Sequence, residues 1–266
     1  MLEAKLNEAA LLKKIIDAIK DSVTDVNFEC SETGIDVQAV DSSHIALVSL
    51  KLGSDGFSDY RCDRNITLGI KVASLVKILR CANDRDALTL MADDNGDQLR
   101  LTFEDSNSER VSEFVLKLMT IDQEHLGIPD TKYESDITMP VDAFQKIMRD
   151  MFMLSESVKI SCDKEGVKFS CKGDVGDGSV LIKPSSSVDS ESSSTTIAVE
   201  TPVSMELNLK YLNNFCKASG LAQNVHLGMS SEVPIMVEYL LPNGYLRFYL
   251  APKIGDDDDE IDEDDD

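Results

Sequence analysis

The stretch LMTIDQEHLGIPDTKY, residues Leu118–Tyr133, lies near the middle of the 266-residue chain and separates two halves that resemble each other. Its apolar residues recur at neither the helical nor the strand period, so no regular element is predicted there. Gly127 and Pro129 would also interrupt a helix or a strand. A long connector with apolar residues of its own is typical of a linker that also binds another molecule.

The two halves align when residue numbers are shifted by 132. This offset places the apolar stripe of a helix predicted over residues 6–21 on that of a helix predicted over residues 141–152. A hairpin follows each helix, and the offset superposes Val26 on Val158, Phe28 on Ile160, Cys30 on Cys162 and Gly34 on Gly166. Later strands and a second helix, over residues 73–82 and 212–219, complete each half. The sequence therefore predicts an α+β fold of two duplicated β-sheet domains, each with two helices.

The charge of the chain is strongly negative and unevenly distributed. The tail DDDDEIDEDDD, Asp256–Asp266, holds ten acids, and removing them changes the net charge from −23 to −13. Such a segment cannot bury apolar surface and is predicted to be disordered. No apolar run approaches the ~18 residues of a membrane span, and a signal peptide is not recognisable, so an intracellular protein without a membrane partner is expected. The predicted bounds are 1–117 for the N-terminal domain, 118–134 for the connector, 135–254 for the C-terminal domain and 255–266 for the acidic tail.

Catalytic and metal-binding patterns are weak throughout the chain. The run from Asp41 to His44 offers an acid, hydroxyls and an imidazole, but contiguous residues rarely converge into a triad, so a turn is favoured over a hydrolase. The acids from Asp93 to Glu104 fit a calcium loop except that Gln98 replaces its required glycine. The six cysteines form no C-x-x-C pair and are expected to be reduced and buried. We therefore expect no enzyme activity, no cofactor, no metal and no small-molecule substrate.

Each of the four predicted helices carries two basic residues on the side opposite its apolar stripe. A solvated helix face would explain any single pair, but four of four in an acidic chain favour one common surface. Such a surface suits the phosphate backbone of nucleic acid, read without base specificity. The pairs are Lys13 with Lys20, Lys77 with Arg80, Lys146 with Arg149, and Lys210 with Lys217, of which Lys210 lies at the junction of a predicted strand and the helix.

Several motifs carry a resemblance to a known family. They are DSSHIALVSL at 41–50, RCDRN at 61–65, LGIP at 126–129, ISC-x-K-x-GVKFS at 160–170 and LAPKI at 250–254. From Met1 to about Ile254 the chain resembles the eukaryotic DNA sliding clamps, the proliferating cell nuclear antigen family. The resemblance implies a nuclear homotrimeric ring of six domains that encircles double-stranded DNA, confers processivity on polymerases and takes part in replication, repair and translesion synthesis. It also implies partners beyond the ring itself: DNA polymerases, the clamp loader, and nuclease and ligase clients that carry the family's interaction motif, the PIP box.

The resemblance also assigns roles to individual residues. DNA contacts are expected from Lys13, Lys14, Lys20, Lys77, Arg80, Lys146, Arg149, Lys210 and Lys217. Subunits are expected to pair along strands 108–117 and 174–181, with Cys81, Arg110, Phe114, Val175 and Gly178 at the interface. A client pocket is expected from Val40, His44, Ile45, Leu47, Leu126, Ile128, Pro129, Tyr133, Pro234, Tyr249, Ala251 and Pro252. Lys164 matches the family's ubiquitin-acceptor lysine, although an ordinary turn lysine is the alternative.

The sequence departs from the family at a few positions. Phe114 stands where the family often has tyrosine, Val40 where it commonly has methionine, and the acidic tail is longer. Two other functions remain open at this point. The chain could be one subunit of a heterotrimeric checkpoint-type clamp, or an acidic histone-binding chaperone that acts through its tail.

Overall fold

Both halves of the chain fold into the same series of elements: strand, helix, five strands, helix and three strands. The computed structural model describes residues 1–105, 107, 109–122, 126–127, 131–185, 194–231 and 233–253. In this part of the chain no helix is long and apolar enough to span a bilayer. The first half contains β1 (Leu2–Leu6), α1 (Ala10–Ile19), β2 (Asp25–Ser31), β3 (Gly34–Val40), β4 (Ala46–Gly53), β5 (Asp59–Cys62), β6 (Ile66–Lys71), α2 (Val72–Leu79), β7 (Ala87–Ala92), β8 (Gln98–Glu104) and β9 (Val111–Lys117). The second half contains β10 (Ser135–Pro140), α3 (Val141–Phe152), β11 (Ser157–Asp163), β12 (Gly166–Gly173), β13 (Gly176–Ile182), β14 (Thr196–Val199), β15 (Val203–Asn208), α4 (Leu209–Phe215), β16 (Asn224–Met229), β17 (Ile235–Leu241) and β18 (Gly244–Leu250).

The strands form antiparallel sheets that join the two halves. The first half has a five-stranded sheet, β5-β1-β7-β8-β9, and the second half a four-stranded sheet, β13-β12-β11-β15. The remaining strands of each half merge, because β18 pairs with β4 over Gly244–Leu250 and Ala46–Leu52. The result is a nine-stranded sheet, β14-β10-β16-β17-β18-β4-β3-β2-β6, that runs through the junction.

The register of the hairpins confirms the duplication. Gly34 in the first half and Gly166 in the second adopt φ values of +137° and +156°, which glycine accepts at no steric cost. A Cβ would lie 2.1 Å from the carbonyl oxygen of Leu52 at the first position and 2.3 Å from that of Ile182 at the second. The same turn therefore demands glycine at two sites 132 residues apart, against the equivalent neighbouring strand.

The four helices lie side by side over the inner faces of the sheets. Each buries the stripe expected from its sequence, for example Ile15 and Ile16 in α1 and Phe144 and Met148 in α3. Burying each such side chain contributes about 1.5–3 kcal/mol. α1 contacts α2 and also, across the halves, α4 and the 3₁₀ turn Cys216–Leu221, while α3 packs on α4. The helices thus form one layer on one side of the molecule, which we call the helix layer.

The predicted helix over residues 6–21 is wrong at its start. Leu2–Leu6 forms a strand whose residues are alternately buried, so its period is that of a sheet, and α1 begins only at Ala10. The predicted helix over 212–219 is also shifted. α4 begins at Leu209, because the Asn208 side chain accepts a hydrogen bond from the Lys210 amide as an N-cap, and it tightens to a 3₁₀ turn after Phe215.

All six cysteines are free, as the sequence predicts. Four of them are buried as expected, namely Cys30, Cys162, Cys171 and Cys216, but the expected burial is wrong for Cys62, which is half-buried, and for Cys81, which is exposed. Burial raises the pKa of the Cys30 thiol to about 12 and that of Cys216 to about 12, so these thiols stay protonated.

Candidate functional site

An apolar pocket opens at the junction of the two halves, beside the connector. Its volume is about 310 Å³, and most of its exposed surface is apolar. It is lined by Val40, His44, Ile45, Ala46, Leu47, Leu126, Gly127, Thr131, Tyr133, Val233, Pro234, Tyr249 and Ala251. A concave apolar site of this kind accepts the apolar anchor of a ligand or a peptide.

The loop before β4 is shaped by the buried carboxylate of Asp41. This side chain accepts hydrogen bonds from the amides of Ser43, Ile45 and Ala46, at 3.1, 2.8 and 2.7 Å. The Tyr211 hydroxyl donates a further bond at 2.9 Å. Burial opposes ionisation of Asp41, but these hydrogen bonds outweigh it and lower its pKa. Asp41 therefore stabilises a turn, which is the role that the sequence analysis favoured over that of a catalytic acid in a hydrolase.

The connector is fixed to the first half by hydrogen bonds to its backbone. The Gln38 amide makes a reciprocal pair with Leu126, Nε2 donating to the carbonyl at 2.8 Å and Oε1 accepting from the amide at 2.6 Å. Upstream, the Ile121 carbonyl accepts from Asn27 Nδ2 at 3.3 Å. These bonds hold Leu126 at the rim of the pocket, where it and Ile45 are each 42% exposed.

Two tyrosines form the wall of the pocket on the side of the second half. Tyr133 lies directly over Gly228 of β16, so closely that a Cβ at that position would come within 2.5 Å of the ring. Tyr249 belongs to β18 and pairs with Leu47 of β4. Burial raises the pKa of Tyr133 to about 12, so its hydroxyl stays neutral.

Nine residues that the sequence predicts for a client pocket converge here. They are Val40, His44, Ile45, Leu47, Leu126, Tyr133, Pro234, Tyr249 and Ala251. Pro252 follows the lining residues along the chain but is not itself part of the lining, and Ile128 and Pro129 lie outside the described residues. Sequence reasoning missed Ala46, Gly127, Thr131 and Val233. Their only signal was adjacency to predicted residues, since small or polar side chains form no apolar pattern.

A polar cleft of about 400 Å³ adjoins the apolar pocket and shares Tyr133 and Tyr249 with it. His226 lies between two carboxylates, with Nε2 2.9 Å from Asp136 Oδ1 and Nδ1 3.3 Å from Glu238 Oε1. The hydrogen bond to Glu238, supported by Asp136, raises the pKa of His226 despite its burial.

Glu238 is a buried acid of this cleft, 5% exposed. Burial opposes its ionisation, but hydrogen bonds from His226 and Arg247 outweigh burial and lower the pKa of Glu238. The Arg247 guanidinium also lies 3.9 Å from the centre of the Tyr245 ring. Sequence reasoning missed this cluster, because its members come from four strands and Asp136 lies 90 residues before His226.

The predicted DNA-contacting residues all lie on the helix layer, in two groups. Four form ion pairs: Lys13 with Asp84 at 2.6 Å, Lys20 with Asp17 at 2.7 Å, Lys146 with Asp150 at 2.6 Å and Lys217 with Asp21 at 2.7 Å. The second group is exposed to solvent and consists of Lys14, Lys77, Arg80, Arg149 and Lys210.

Lys13 differs from the rest of the first group. Its Nζ also donates to the Ala82 carbonyl at 2.9 Å, in the turn after α2. The equivalent residue in the second half, Gln145, donates in the same way to the Cys216 carbonyl at 3.3 Å. Lys13 thus links two helices in addition to carrying charge.

Of the residues predicted for subunit contacts, Phe114 lies in the edge strand β9 and Gly178 in the edge strand β13, while Arg110 directly precedes β9 and Val175 directly precedes β13. Val111 and Val175 are 62% and 82% exposed. Phe114 packs edge-on against Phe103 with ring centres 5.9 Å apart, and Arg110 pairs with the buried Asp86 at 3.1 Å. Cys81 is exposed after α2, and Gly178 is half-exposed in β13.

Lys164, the predicted ubiquitin acceptor, is exposed in the turn between β11 and β12. The Asp163 carboxylate shapes this turn by accepting hydrogen bonds from the amides of Glu165 and Gly166, at 2.8 and 3.2 Å. The turn therefore presents the lysine amine to solvent on a rigid support.

The described residues contain no group of three or more His, Cys, Asp or Glu that could hold a metal ion.

Residues 1–125 match the family model described as Proliferating cell nuclear antigen, N-terminal domain, and residues 127–254 match that of the C-terminal domain. The Proliferating cell nuclear antigen of Chaetomium thermophilum is 55% identical over 259 residues, which cover 97% of this chain and 100% of that protein. The chain therefore belongs to the proliferating cell nuclear antigen family, the non-enzymatic DNA sliding clamps.

Proposed function

We propose that the chain forms a homotrimeric ring that encircles duplex DNA, gives DNA polymerase its processivity and recruits replication and repair proteins. Each subunit contributes two domains, 1–117 and 135–254, joined by the connector 118–134. The observation that carries this proposal is that two edge strands, β9 and β13, have no partner strand within the chain on the side where their equivalents in the other half pair with each other. In the duplicated fold β9 corresponds to β18 and β13 to β4, and β18 pairs with β4 inside the chain.

The internal junction supplies a register for the subunit interface. Phe248 of β18 lies opposite Val48 of β4. Phe114 corresponds to Phe248, because each pairs with the equivalent strand at the equivalent position. Gly178 corresponds to Val48 by the same comparison with β3 and β12. The proposal therefore places Phe114 of one subunit opposite Gly178 of the partner subunit, where the glycine leaves room for the ring.

The helix layer supplies the surface for DNA. In the ring it would line the central hole, where Lys14, Lys77 and Arg149 would contact phosphates. Lysine and arginine contacts of this kind carry no sequence information, so the ring can slide. Ion pairs such as Lys20 with Asp17 are exposed and weak, and a phosphate can replace the carboxylate at little cost.

The apolar pocket would recruit client proteins. A short motif with an apolar anchor and two aromatic residues fits a cavity that is open between Leu126 and Tyr249. We infer that polymerases, the clamp loader, nucleases and ligases bind there, in the nucleus. Ubiquitin at Lys164 would add partners for repair and translesion synthesis, which its exposure on the turn permits.

The test of the ring is its mass in solution, with a matched pair of variants. The native chain should scatter light as a particle near three times 29.3 kDa. Val111→Asp should shift it towards the monomer, because Val111 lies opposite Leu181 in the proposed register and the substitution replaces this apolar cross-strand pair by a charge beside an apolar side chain. Leu240→Asp is the control, since Leu240 is also 62% exposed but lies away from both edges. A native chain that stays monomeric alone would refute the homotrimer and favour a heterotrimeric clamp.

The test of the function uses a primed circular template. With the clamp loader present, the protein should make a polymerase processive on the circle and lose that effect on linear DNA with free ends. Stimulation that is equal on both templates would contradict encirclement.

A further inference from the structure

The acidic tail leaves the second domain as the connector leaves the first. The connector follows β9, and its Met119 amide donates to the Gly69 carbonyl of β6 at 3.0 Å. The tail follows β18, and the Lys253 amide donates to the Glu206 carbonyl of β15 at 2.8 Å. Gly69 and Glu206 are equivalent, because each pairs with the equivalent residue of the next strand, Asn27 or Lys159. The connector and the tail thus leave their domains at equivalent positions.

In the first domain this course is visible. After Met119 the described residues of the connector lie on the outer face of the sheet, held at Ile121 by Asn27 of β2 and at Leu126 by Gln38 of β3. The equivalent positions in the second domain are Lys159 of β11 and Ser170 of β12, which pair with each other as Asn27 and Gln38 do. Polar side chains that can hold a crossing segment therefore occur at the equivalent two positions of the second domain, and one of them, Lys159, is a cation.

The outer face of the second domain is a shallow cleft of about 610 Å³. We call it the serine–lysine face, defined by Ser157, Lys159, Lys168, Ser170, Lys172 and Ser179. These side chains point outward, because the alternating residues Ile160 and Phe169 are fully buried. All three lysines are exposed, and two acids, Asp177 and Glu206, also line the cleft. Hydroxyl and ammonium donors together suit a carboxylate-rich strand.

We propose that residues 256–260 of the acidic tail lie in cis across the serine–lysine face, as the connector does across the first domain. The offset between β9 and β18 is 134 residues, so these five acids take the places of connector residues 122–126. Their carboxylates pair with the three lysines and accept hydrogen bonds from the serine hydroxyls. The Lys253 side chain already lies at this face, where it donates to Ser157 Oγ.

The dimensions permit this placement. Neighbouring strands of the sheet lie about 4.8 Å apart, so the distance from Glu206 of β15 to Ser170 of β12, the equivalent of Gln38, is roughly 10 Å. Five extended residues span about 17 Å. Contiguous like charges repel one another, and pairing with lysines relieves that repulsion. The contacts are exposed, so they weaken as salt shortens the screening length. A tail so placed shields the lysines from phosphates and directs DNA to the helix layer.

Lysine acylation, read by mass spectrometry, tests this placement with two variants of equal charge. One replaces the acids of residues 256–260 by their amides, and the other replaces those of residues 262–266, so each removes five negative charges. The proposal expects Lys159, Lys168 and Lys172 to react about threefold faster in the first variant than in the native chain, as loss of a few exposed ion pairs implies. The second variant should react as the native chain does. Lys51, exposed on the first domain, should not change in either.

Carbodiimide cross-linking locates the tail directly. It should join carboxylates of residues 256–260 to the three lysines, within one chain when isotopically light and heavy chains are mixed. In 1 M salt both the cross-links and the protection should disappear, because the screening length falls to about 3 Å. Equal acylation in all three proteins, cross-links only between chains, or cross-links only to the helix layer would overturn the proposal.

Discussion

Replacing Gly228 by alanine should deform the apolar pocket from beneath. A Cβ at this position would lie 2.5 Å from Cδ2 of Tyr133 and 2.7 Å from its Cε2 and Cγ. Carbons that are not bonded rest about 3.5–4.0 Å apart. β16 cannot retreat, since it is paired on both sides, with Asp136 and Met236 opposite Gly228. The tyrosine ring therefore has to move outward by roughly 1 Å.

The size of the effect follows from the position of Tyr133 in the pocket wall. A gap of 0.5–1 Å forfeits about a quarter to a half of the contact energy of the atoms that it separates. A central aromatic anchor at an interface is worth about 2–4 kcal/mol. The expected loss is thus roughly 1 kcal/mol, or about a fivefold weaker client affinity.

Fluorescence anisotropy with a labelled peptide that carries an apolar anchor and two aromatic residues would measure this loss. Gly220→Ala is the matched control, because a Cβ there meets open space. In a Tyr133→Ala background Gly228→Ala should cost no further affinity, since the two changes act through the same ring. Equal affinities for the native chain, Gly228→Ala and Gly220→Ala would refute the reasoning. Loss of the trimer in Gly228→Ala would show that the change acts through the fold instead.

Three further predictions concern the polar cleft, the helix layer and the connector. Glu238 and Asp136 raise the pKa of His226, so the stabilisation that protonated His226 contributes is complete below about pH 6.5 and is lost as the pH rises through its folded-state pKa. Denaturant titrations at several pH values should therefore show that the difference in unfolding free energy between the native chain and His226→Gln decreases as the pH rises. Lys77→Glu with Arg149→Glu should lower the salt slope of DNA binding by about two, at about 0.9 per lost phosphate contact, whereas Lys51→Glu on the outer sheet should not change it. Leu126→Ala should abolish peptide binding but leave the trimer and its loading on DNA intact; a monomeric variant in light scattering would mean that the connector is structural.

The fold was predictable from sequence where periodicity and duplication agree. The stripe of α3 sets its limits, Val141–Phe152, and the repeated turn glycine fixes the hairpins in both domains. The errors fell where a local pattern was ambiguous. The strand Leu2–Leu6 was not predicted, and its last residue was assigned to a helix, because a five-residue strand beside a helical stripe has too few residues to show its own period.

The candidate site was predictable only in part. The apolar lining of the pocket followed from the resemblance, and the structure brings nine of its predicted residues together. The roles of Gln38 and Gly228 were not readable from sequence. Gln38 acts through hydrogen bonds to the backbone of Leu126, 88 residues away, and Gly228 acts through the absence of a side chain, which leaves room for the Tyr133 ring. Neither property leaves a local pattern, since both depend on which strands are neighbours.

The exposed apolar residues of β9 and β13 favour pairing of these two edge strands with another strand. An unmatched edge strand invites aggregation, and proteins usually protect it with lysine, proline or a bulge. β9 instead exposes Val111 and Val115, and β13 exposes Leu181. The equivalent edges β18 and β4 are joined within the chain over seven residue pairs. The edges β9 and β13 differ from each other, so the proposed contact between subunits is heterologous, and such a contact either closes into a ring or extends as a filament. Because the internal junction repeats the geometry proposed between subunits, one rotation relates every neighbouring pair of domains, and a closed ring is the arrangement that pairs both β9 and β13 in every subunit.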